Sequence, residues 1–351
     1  MKKTLFAALA LAFVASCSNE DVVEMAQKEA ISFENAFVNN STRSVNDPSY
    51  TNTNLFEAFK VYGYVEDSSL WPDGEKVTGS ALDEEWGYTN TQYWINGASY
   101  VFHALAPEMA ATTNSSTGLT LSFTNTDGQS DVLYATATAT GAASGNQPVK
   151  FDFKHILSKV KFSFENAYNS ANASIKVKEI KIHNAYKTGT VTLSSNGIVW
   201  AAQAGTTDNP LAFGIATDNE ATTTGDNYKE NNDDQFAFGI TRESQKELLI
   251  IPGAAAATTE DEETKEGYKV TFTVELYVGE SMIEDYEHTV YVDFTPEASN
   301  SYDIKAVINP TNIDPEDPNG QEPIKFTVTN ITGWEEKNVD DILKEEETTQ
   351  P

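Results

Sequence analysis

One stretch near the middle of the chain, residues 149–165, constrains the fold more than any other. Its sequence, VKFDFKHILSKVKFSFE, contains two runs of alternating apolar and polar residues, separated by an apolar interruption at 155–158. Because successive side chains of a β-strand point to opposite faces, each run predicts a strand with one buried and one solvent-exposed face. We interpret the first run as the last strand of one β-domain and the second as the first strand of the next.

The rest of the chain fits two β-domains that meet at this joint. A length of 351 residues is typical of about two domains, each able to bury a core. The pattern predicts further strands and hairpins and no helix of substantial length. The clearest are strands at 31–38, 59–65, 119–123, 131–137, 175–182, 300–308 and 324–329, hairpins at 92–107, 190–200 and 269–294, a strand buried on both faces at 247–252, and a long loop at 202–234.

The charge of the chain excludes one class of partner. The formal net charge is −30, and a field of this sign and size opposes binding to nucleic acid. Only two arginines occur, Arg43 and Arg242. Arg43 lies in a polar segment after the first predicted strand, and such exposed segments are preferred sites of proteolysis. The single cysteine, Cys17, leaves the cores without an internal disulfide.

The N-terminus has the pattern of a lipoprotein leader. Lys2 and Lys3 precede an apolar run at residues 5–14, which is too short to span a bilayer stably. The run ends in Val-Ala-Ser before Cys17, which resembles the lipobox of bacterial lipoproteins and predicts acylation of the Cys17 thiol. The acidic residues that follow resemble the signal that sends lipoproteins of some Gram-negative anaerobes to the outer face of the outer membrane.

No pattern of catalytic or metal-binding residues stands out. The four histidines share no ligand spacing, and His155 in the joint is best interpreted as a hydrogen-bonded structural residue. The acidic loop at 314–320 departs from an EF-hand, because Pro315 and Phe326 occupy ligand positions, and only a looser calcium site stays open there. Three tryptophans, Trp71, Trp86 and Trp94, fit either a sugar-binding platform or a core. We therefore predict no enzyme activity, no cofactor and no metal.

Several short motifs, in order behind the lipobox, carry a resemblance to a known family. They are the strand of Ile31 and Phe33 followed by Thr42-Arg43, FKVYG at 59–63, YVF at 100–102, DVLYA at 131–135, FKHILSKV at 153–160, LIIP at 249–252, NSY at 300–302, and a closing strand that ends near Trp334. In this order they resemble the fimbrillin family, lipoprotein precursors of the type V pili of Gram-negative anaerobes.

The resemblance implies two tandem transthyretin-like β-sandwiches of Greek-key type that assemble by strand exchange. In pilins of this family an arginine-specific protease cuts after the first strand, this strand leaves, and a C-terminal strand of the next subunit fills the groove. The resemblance assigns the cut to the bond between Arg43 and Ser44. The corresponding strand residues are Ile31, Phe33 and Phe37 for the departing strand and Ile324, Phe326 and Val328 for the donor strand.

On this basis the chain divides into four parts. They are a signal peptide with lipobox at 1–17, a tether with the removable strand at 18–43, an N-terminal β-sandwich at 44–157, and a C-terminal β-sandwich with an acidic tail at 158–351. The tail after Trp334 is a poor donor strand because it is densely acidic and has few apolar residues. Either residues 324–332 are the donor, or this subunit is a tip or accessory component.

The sequence thus predicts a structural subunit of a pilus, used in adhesion and located at the cell surface. It would begin as an outer-membrane lipoprotein precursor and end in the fimbrium. Its partners would be other pilus subunits, an arginine-specific protease, the outer membrane through a lipid anchor, and a ligand on a host or bacterial surface. Two alternatives stay open: a monomeric outer-membrane glycan-binding lipoprotein, and a lipoprotein glycosidase.

Overall fold

The computed structural model describes residues 28–38, 58–79, 86–170, 172–205, 210–217, 234–260, 263–313, 322 and 324–331. These residues form β-strands connected by turns and loops and contain no α-helix, so the all-β prediction is confirmed. Within the same ranges, no helix is long and apolar enough to cross a membrane. The transthyretin-like topology that the resemblance implies stays a prediction.

The first half of the chain forms a wide sheet of seven strands, in the order β1-β9-β8-β5-β2-β3 with β4 paired to β2. The strands of this half are β1 Phe33–Val38, β2 Ala58–Val65, β3 Ser68–Ser69, β4 Glu75–Thr78, β5 Ser99–Ala106, β6 Thr113–Ser115, β7 Gly118–Thr124, β8 Leu133–Thr140 and β9 Val149–His155. The predicted alternation is clearest in β9, where buried and exposed residues follow each other along the whole strand.

The second half forms a sheet of six strands, β15-β17-β10-β23-β24 with β18 paired to β10, and a sheet of five, β14-β11-β21-β22 with β16 paired to β11. A separate two-stranded sheet pairs β19 with β20. The strands are β10 Ser158–Asn166, β11 Ala173–Ile182, β12 Thr188–Ser194, β13 Gly197–Ala204, β14 Leu211–Gly214, β15 Ala216–Thr217, β16 Phe236–Ala237, β17 Thr241–Ser244, β18 Leu248–Ile250, β19 Thr258–Glu260, β20 Glu263–Lys265, β21 Tyr268–Val278, β22 Ser281–Val292, β23 Ser301–Ile308 and β24 Phe326–Ile331.

A four-stranded sheet, β13-β12-β7-β6, joins the two halves of the chain. The β12–β13 hairpin follows the predicted boundary at 157/158 in sequence, yet β12 pairs antiparallel with β7 of the first half. The boundary falls between β9 and β10, and the division into domains stays a prediction. The structure adds that the second half contributes two strands to the packing of the first.

Three clusters of buried side chains form the core. One lies between the six- and five-stranded sheets, the second covers one face of the seven-stranded sheet, and the third lies between that sheet and the four-stranded sheet. Strand β18 and the residue after it serve two clusters, because Leu248 and Ile250 pack in the first while Leu249 and Ile251 pack in the third. The prediction of a strand buried on both faces is therefore confirmed.

Two sequence predictions about local structure are wrong. The predicted loop at 202–234 contains the end of β13 and the whole of β14 and β15, and Phe213 of β14 is fully buried. The predicted hairpin at 92–107 is a loop followed by the single strand β5. Its first part forms only a bridge, Ala30↔Tyr93, because the backbone of residues 92–94 bonds to that of residues 29–31 instead.

A buried hydrogen-bonded pair of side chains lies at the joint between β9 and β10. His155 Nδ1 lies 2.5 Å from Asp131 Oδ2, and both side chains are buried. The other oxygen, Asp131 Oδ1, accepts a hydrogen bond of 2.8 Å from the backbone N–H of Val132. On the far side, Ser299 Oγ donates to the backbone carbonyl of His155. The interpretation of His155 as a structural histidine is thus confirmed.

We expect Asp131→Asn to lower the free energy of unfolding by about 1–2 kcal/mol. The reason is that a neutral amide would replace the carboxylate that accepts the hydrogen bond, and hydrogen bonds to a charged acceptor are stronger. Urea denaturation at neutral pH measures the change. Asp152→Asn, an exposed carboxylate on β9, is the matched control and should change stability by less than about 0.5 kcal/mol. Equal midpoints for the two variants would show that the Asp131–His155 pair contributes nothing net.

Candidate functional site

The first strand of the fold, β1, lies at the edge of the seven-stranded sheet. Its one partner strand in the sheet is β9, to which it runs parallel, with Phe33 opposite Val149, Phe37 opposite Asp152, and an irregularity between Glu34 and Phe37. On its other side, Phe33 forms a single isolated bridge with Trp86. The pairing begins where the backbone N–H of Val149 donates to the carbonyl of Ser32 over 2.8 Å. An edge strand with one partner can leave a sheet without breaking the pairing of the others.

Phe33 of β1, and Ile31 just before the strand, are inserted into the core. Phe33 is 2% exposed and Ile31 is 1% exposed. The ring of Phe33 packs against five other aromatic rings at centroid distances of 5.5–6.4 Å, namely those of Tyr88, Phe151, Phe59, Phe102 and Trp71. We call these five rings, with the free edge of β9, the β1 groove. Without β1 the groove would open to solvent.

A loop at residues 86–94 closes over the start of β1. Tyr88 Oη donates a hydrogen bond of 2.7 Å to the carbonyl of Ile31, and burial raises the pKa of this tyrosine. Buried Glu75 holds the loop through bonds of 2.7–3.1 Å from Thr89 and Asn90. Burial alone would raise the pKa of Glu75, but these hydrogen bonds outweigh it, so the net shift is downward. The ionised carboxylate thus stabilises the cover of the groove.

The three tryptophans are core residues. Trp71, Trp86 and Trp94 are 4%, 5% and 7% exposed, and all three pack in the cluster that contains Phe33. Trp71 Nε1 also donates to the carbonyl of Asn90 over 2.8 Å. A sugar-binding platform needs exposed ring faces, so these tryptophans do not form one, and their interpretation as core is confirmed.

The candidate donor residues lie at another edge of the fold. Strand β24 pairs with β23 alone and ends the six-stranded sheet. Phe326 packs against Phe162, Phe164 and Phe272 at 5.7–6.1 Å, Ile324 is buried, and Val328 is partly buried against the same core. In this structure β24 completes the core of its own half, as β1 does in the other.

The structure therefore places the predicted site residues in three groups. Ile31, Phe33 and Phe37 lie in or directly before β1, and the donor residues lie in or directly before β24, in a different sheet. Cys17, Arg43 and Ser44 lie outside the described residues. Sequence reasoning missed Glu75 and Tyr88, because no local pattern indicates that residues so distant in sequence cover β1.

An apolar groove beside a free sheet edge binds an extended strand, because the edge supplies backbone hydrogen bonds and the groove accepts alternate side chains. Its lining rings contain no acid–base pair suited to catalysis. In the described part of the chain, no three or more side chains of metal-ligating type cluster together.

Comparison with known proteins identifies the family. A family model described as fimbrillin-like matches residues 42–334. No curated protein matches the chain. Among solved structures, a fimbrial protein from Bacteroides vulgatus is 15% identical, with 87% of this chain and 99% of that chain covered and a TM-score of 0.54. A candidate cell adhesion protein from Bacteroides ovatus is 17% identical, with coverages of 89% and 99% and a TM-score of 0.47.

The likeness to the Bacteroides vulgatus protein supports the fold, and the family match covers most of the chain. The sequence motifs and the all-β architecture agree with it. The chain belongs to the fimbrillin-like family.

Proposed function

We propose that this protein is a structural, non-enzymatic subunit of a pilus that assembles by strand exchange. One observation carries the proposal: β1 is an edge strand, and its Phe33, with Ile31 just before it, completes an aromatic core. The family match supports the pilus, and the described fimbrial neighbour supports a cell-surface location. The lipobox at Cys17 supports delivery as an outer-membrane lipoprotein precursor.

The intact chain fills its own groove and therefore cannot accept a neighbour. A cut after Arg43 would leave the strand of Ile31 and Phe33 held by noncovalent contacts alone. Loss of that strand would expose the unpaired backbone of β9 and the rings around Phe33, which is a template for another strand. Identical head-to-tail contacts that do not close into a ring produce an open filament.

The donor in this scheme is β24 of the next subunit, with Ile324, Phe326 and Val328 as its inserted residues. Phe326 leaves one aromatic core and would enter another, so the exchange conserves much of the apolar burial. The finished filament would then present the subunit to a ligand on a host or bacterial surface.

Cleavage by an arginine-specific protease tests the proposal, because the chain has only two arginines. Protein that starts at Ser18 should gain a Ser44 N-terminus and a ladder of heat-sensitive oligomers on an unboiled denaturing gel. Arg43→Lys keeps the charge and should abolish both. The matched control Arg242→Lys, in β17, should retain both.

Two results would count against strand exchange. One is resistance of folded protein at Arg43. The other is a cut protein that keeps residues 18–43 bound and stays monomeric at high concentration. A monomeric glycan-binding lipoprotein predicts that Arg43→Lys changes nothing, so the same experiment distinguishes that alternative.

A further inference from the structure

A cleft distinct from the β1 groove opens on the side of the first half. Its volume is about 1060 Å³. Thr136, Asp152 and Lys154 of β8 and β9 form one wall, and Val199 and Trp200 of β13 form the opposite wall. Tyr186, before β12, lines the same cleft.

The cleft exists because the two sheets of this half differ in width. The four-stranded sheet packs over β2, β5 and β8, where Tyr62, Leu105 and Tyr134 share a buried cluster with β7 and β12. It ends at the edge strand β13. The outward residues of β9 therefore stay uncovered, and Asp152 and Lys154 are exposed. The cleft is the open side of the sandwich.

The indole of Trp200 is fixed in the wall. Its Nε1 donates a hydrogen bond of 2.8 Å to the carbonyl of Ile156, and Phe123 packs edge-on at 6.0 Å. A Cβ on Gly189 would lie 3.0 Å from two ring carbons, so the absence of a side chain there makes room for the indole. The ring is half-buried, which leaves part of it facing the cleft without freedom to turn away.

The opposite wall offers hydrogen-bonding groups of both signs. Within the described residues, neither the carboxylate of Asp152 nor the ammonium of Lys154 has a partner. On the side of Trp200, Ser194 and Ser195 of the β12–β13 hairpin add hydroxyls. Glu297 also lines the cleft, and its carboxylate accepts a hydrogen bond of 3.3 Å from Asn300 Nδ2. One lysine among these groups is too little for a phosphate-rich ligand, and a mixed set suits a neutral, hydroxyl-rich one.

We propose that this cleft binds a neutral oligosaccharide. The indole of Trp200 and the ring of Tyr186 would pack against the apolar C–H face of a sugar ring. Both side chains combine a large apolar ring surface with one polar group, which suits a ligand that is itself partly apolar and partly polar. Asp152 would accept hydrogen bonds from sugar hydroxyls and Lys154 would donate them. At about 1060 Å³ the cleft is slightly larger than the roughly 300–1,000 Å³ typical of ligand sites, so several sugar units fit.

Binding of labelled oligosaccharides tests the inference. The probe is a panel of fluorescent neutral oligosaccharides of roughly three to six units, titrated by anisotropy into uncut protein that starts at Ser18. We expect at least one to bind saturably. Asp152→Ala and Lys154→Ala should each weaken it about tenfold, the effect of one lost charge-assisted hydrogen bond. Both residues are exposed, so the variants should fold.

Lys150→Ala is the matched control, because Lys150 lies two residues before Asp152 on the same exposed face of β9 but outside the cleft lining. It should bind as the parent protein does. The inference is overturned if no oligosaccharide binds, if Asp152→Ala binds normally, or if unmodified peptides bind instead, which would indicate a strand added to the β13 edge. Any of these leaves strand exchange intact, because that mechanism does not use the cleft.

Discussion

Phe33→Ala is expected to lower the free energy of unfolding of the first half by about 3–5 kcal/mol, the range for truncating a buried phenylalanine. The side chain is 2% exposed and contacts five aromatic rings. Those rings come from several different strands and loops, which cannot all move inward to fill the space. A cavity would remain, and the cost should lie in the upper part of the range.

Guanidinium denaturation followed by tryptophan fluorescence measures this effect, since Trp71 lies 6.4 Å from Phe33 and reports its surroundings. Phe238→Ala is the matched control, because Phe238 is 53% exposed in the turn between β16 and β17. It should change stability by less than about 0.5 kcal/mol. After cleavage at Arg43, Phe33→Ala should also release β1 faster. A loss below about 1 kcal/mol would show that β1 is not anchored by this ring.

The strands could be predicted from sequence where one face is buried and the other exposed. Residues 149–155 of β9 show this most clearly, because Phe151 and Phe153 alternate with the exposed Asp152 and Lys154. Pairing between distant strands could not be predicted. Strand β12 pairs with β7, although strands nearer in sequence are available. Its composition does not indicate this partner, because the packing of side chains in the folded protein decides which distant strands pair and in which register.

The candidate site could also be predicted only in part: its strand could be predicted from the sequence, but the loop that covers the strand could not. The alternation around Ile31 and Phe33 indicates a strand, and the family resemblance supplied its role. The cover was not predictable, because Tyr88 reaches the carbonyl of Ile31 across 57 positions of sequence. Phe213 illustrates the same limit: it is buried inside a segment whose polar composition is typical of a loop.

We expect the folding stability to decrease at acid pH because of a buried histidine, His288 of β22. Its side chain is 4% exposed, stacked on Phe272 at 5.2 Å and edge-on to Tyr286 at 4.8 Å. Within the described residues, His288 Nε2 has no hydrogen-bond partner. Burial lowers the pKa of His288 from 6.5 to about 4, because nothing there compensates the charged form.

The sign of the effect follows from linkage. The unfolded chain binds a proton at His288 as the pH falls through 6.5, whereas the folded chain does not do so until about pH 4. Protonation thus favours the unfolded state between these values. The contribution of His288 to the free energy of unfolding should be fully present above pH 7. Between pH 7 and pH 4.5, protonation of this residue alone should lower the free energy of unfolding by about 2–3 kcal/mol. Burial also lowers the pKa of His103 and His183, which adds to the loss.

His288→Phe should remove that share of the loss, so that its unfolding free energy declines by about 2–3 kcal/mol less than that of the parent over this interval. It should also be as stable as the parent or more so at pH 7, because a phenylalanine fills the same stack without an unbonded ring nitrogen. His183→Gln, at a half-buried histidine, is the matched control and should keep most of the pH dependence. Urea denaturation at several pH values compares them. Parallel curves for the parent and His288→Phe would show that this ring does not titrate with unfolding.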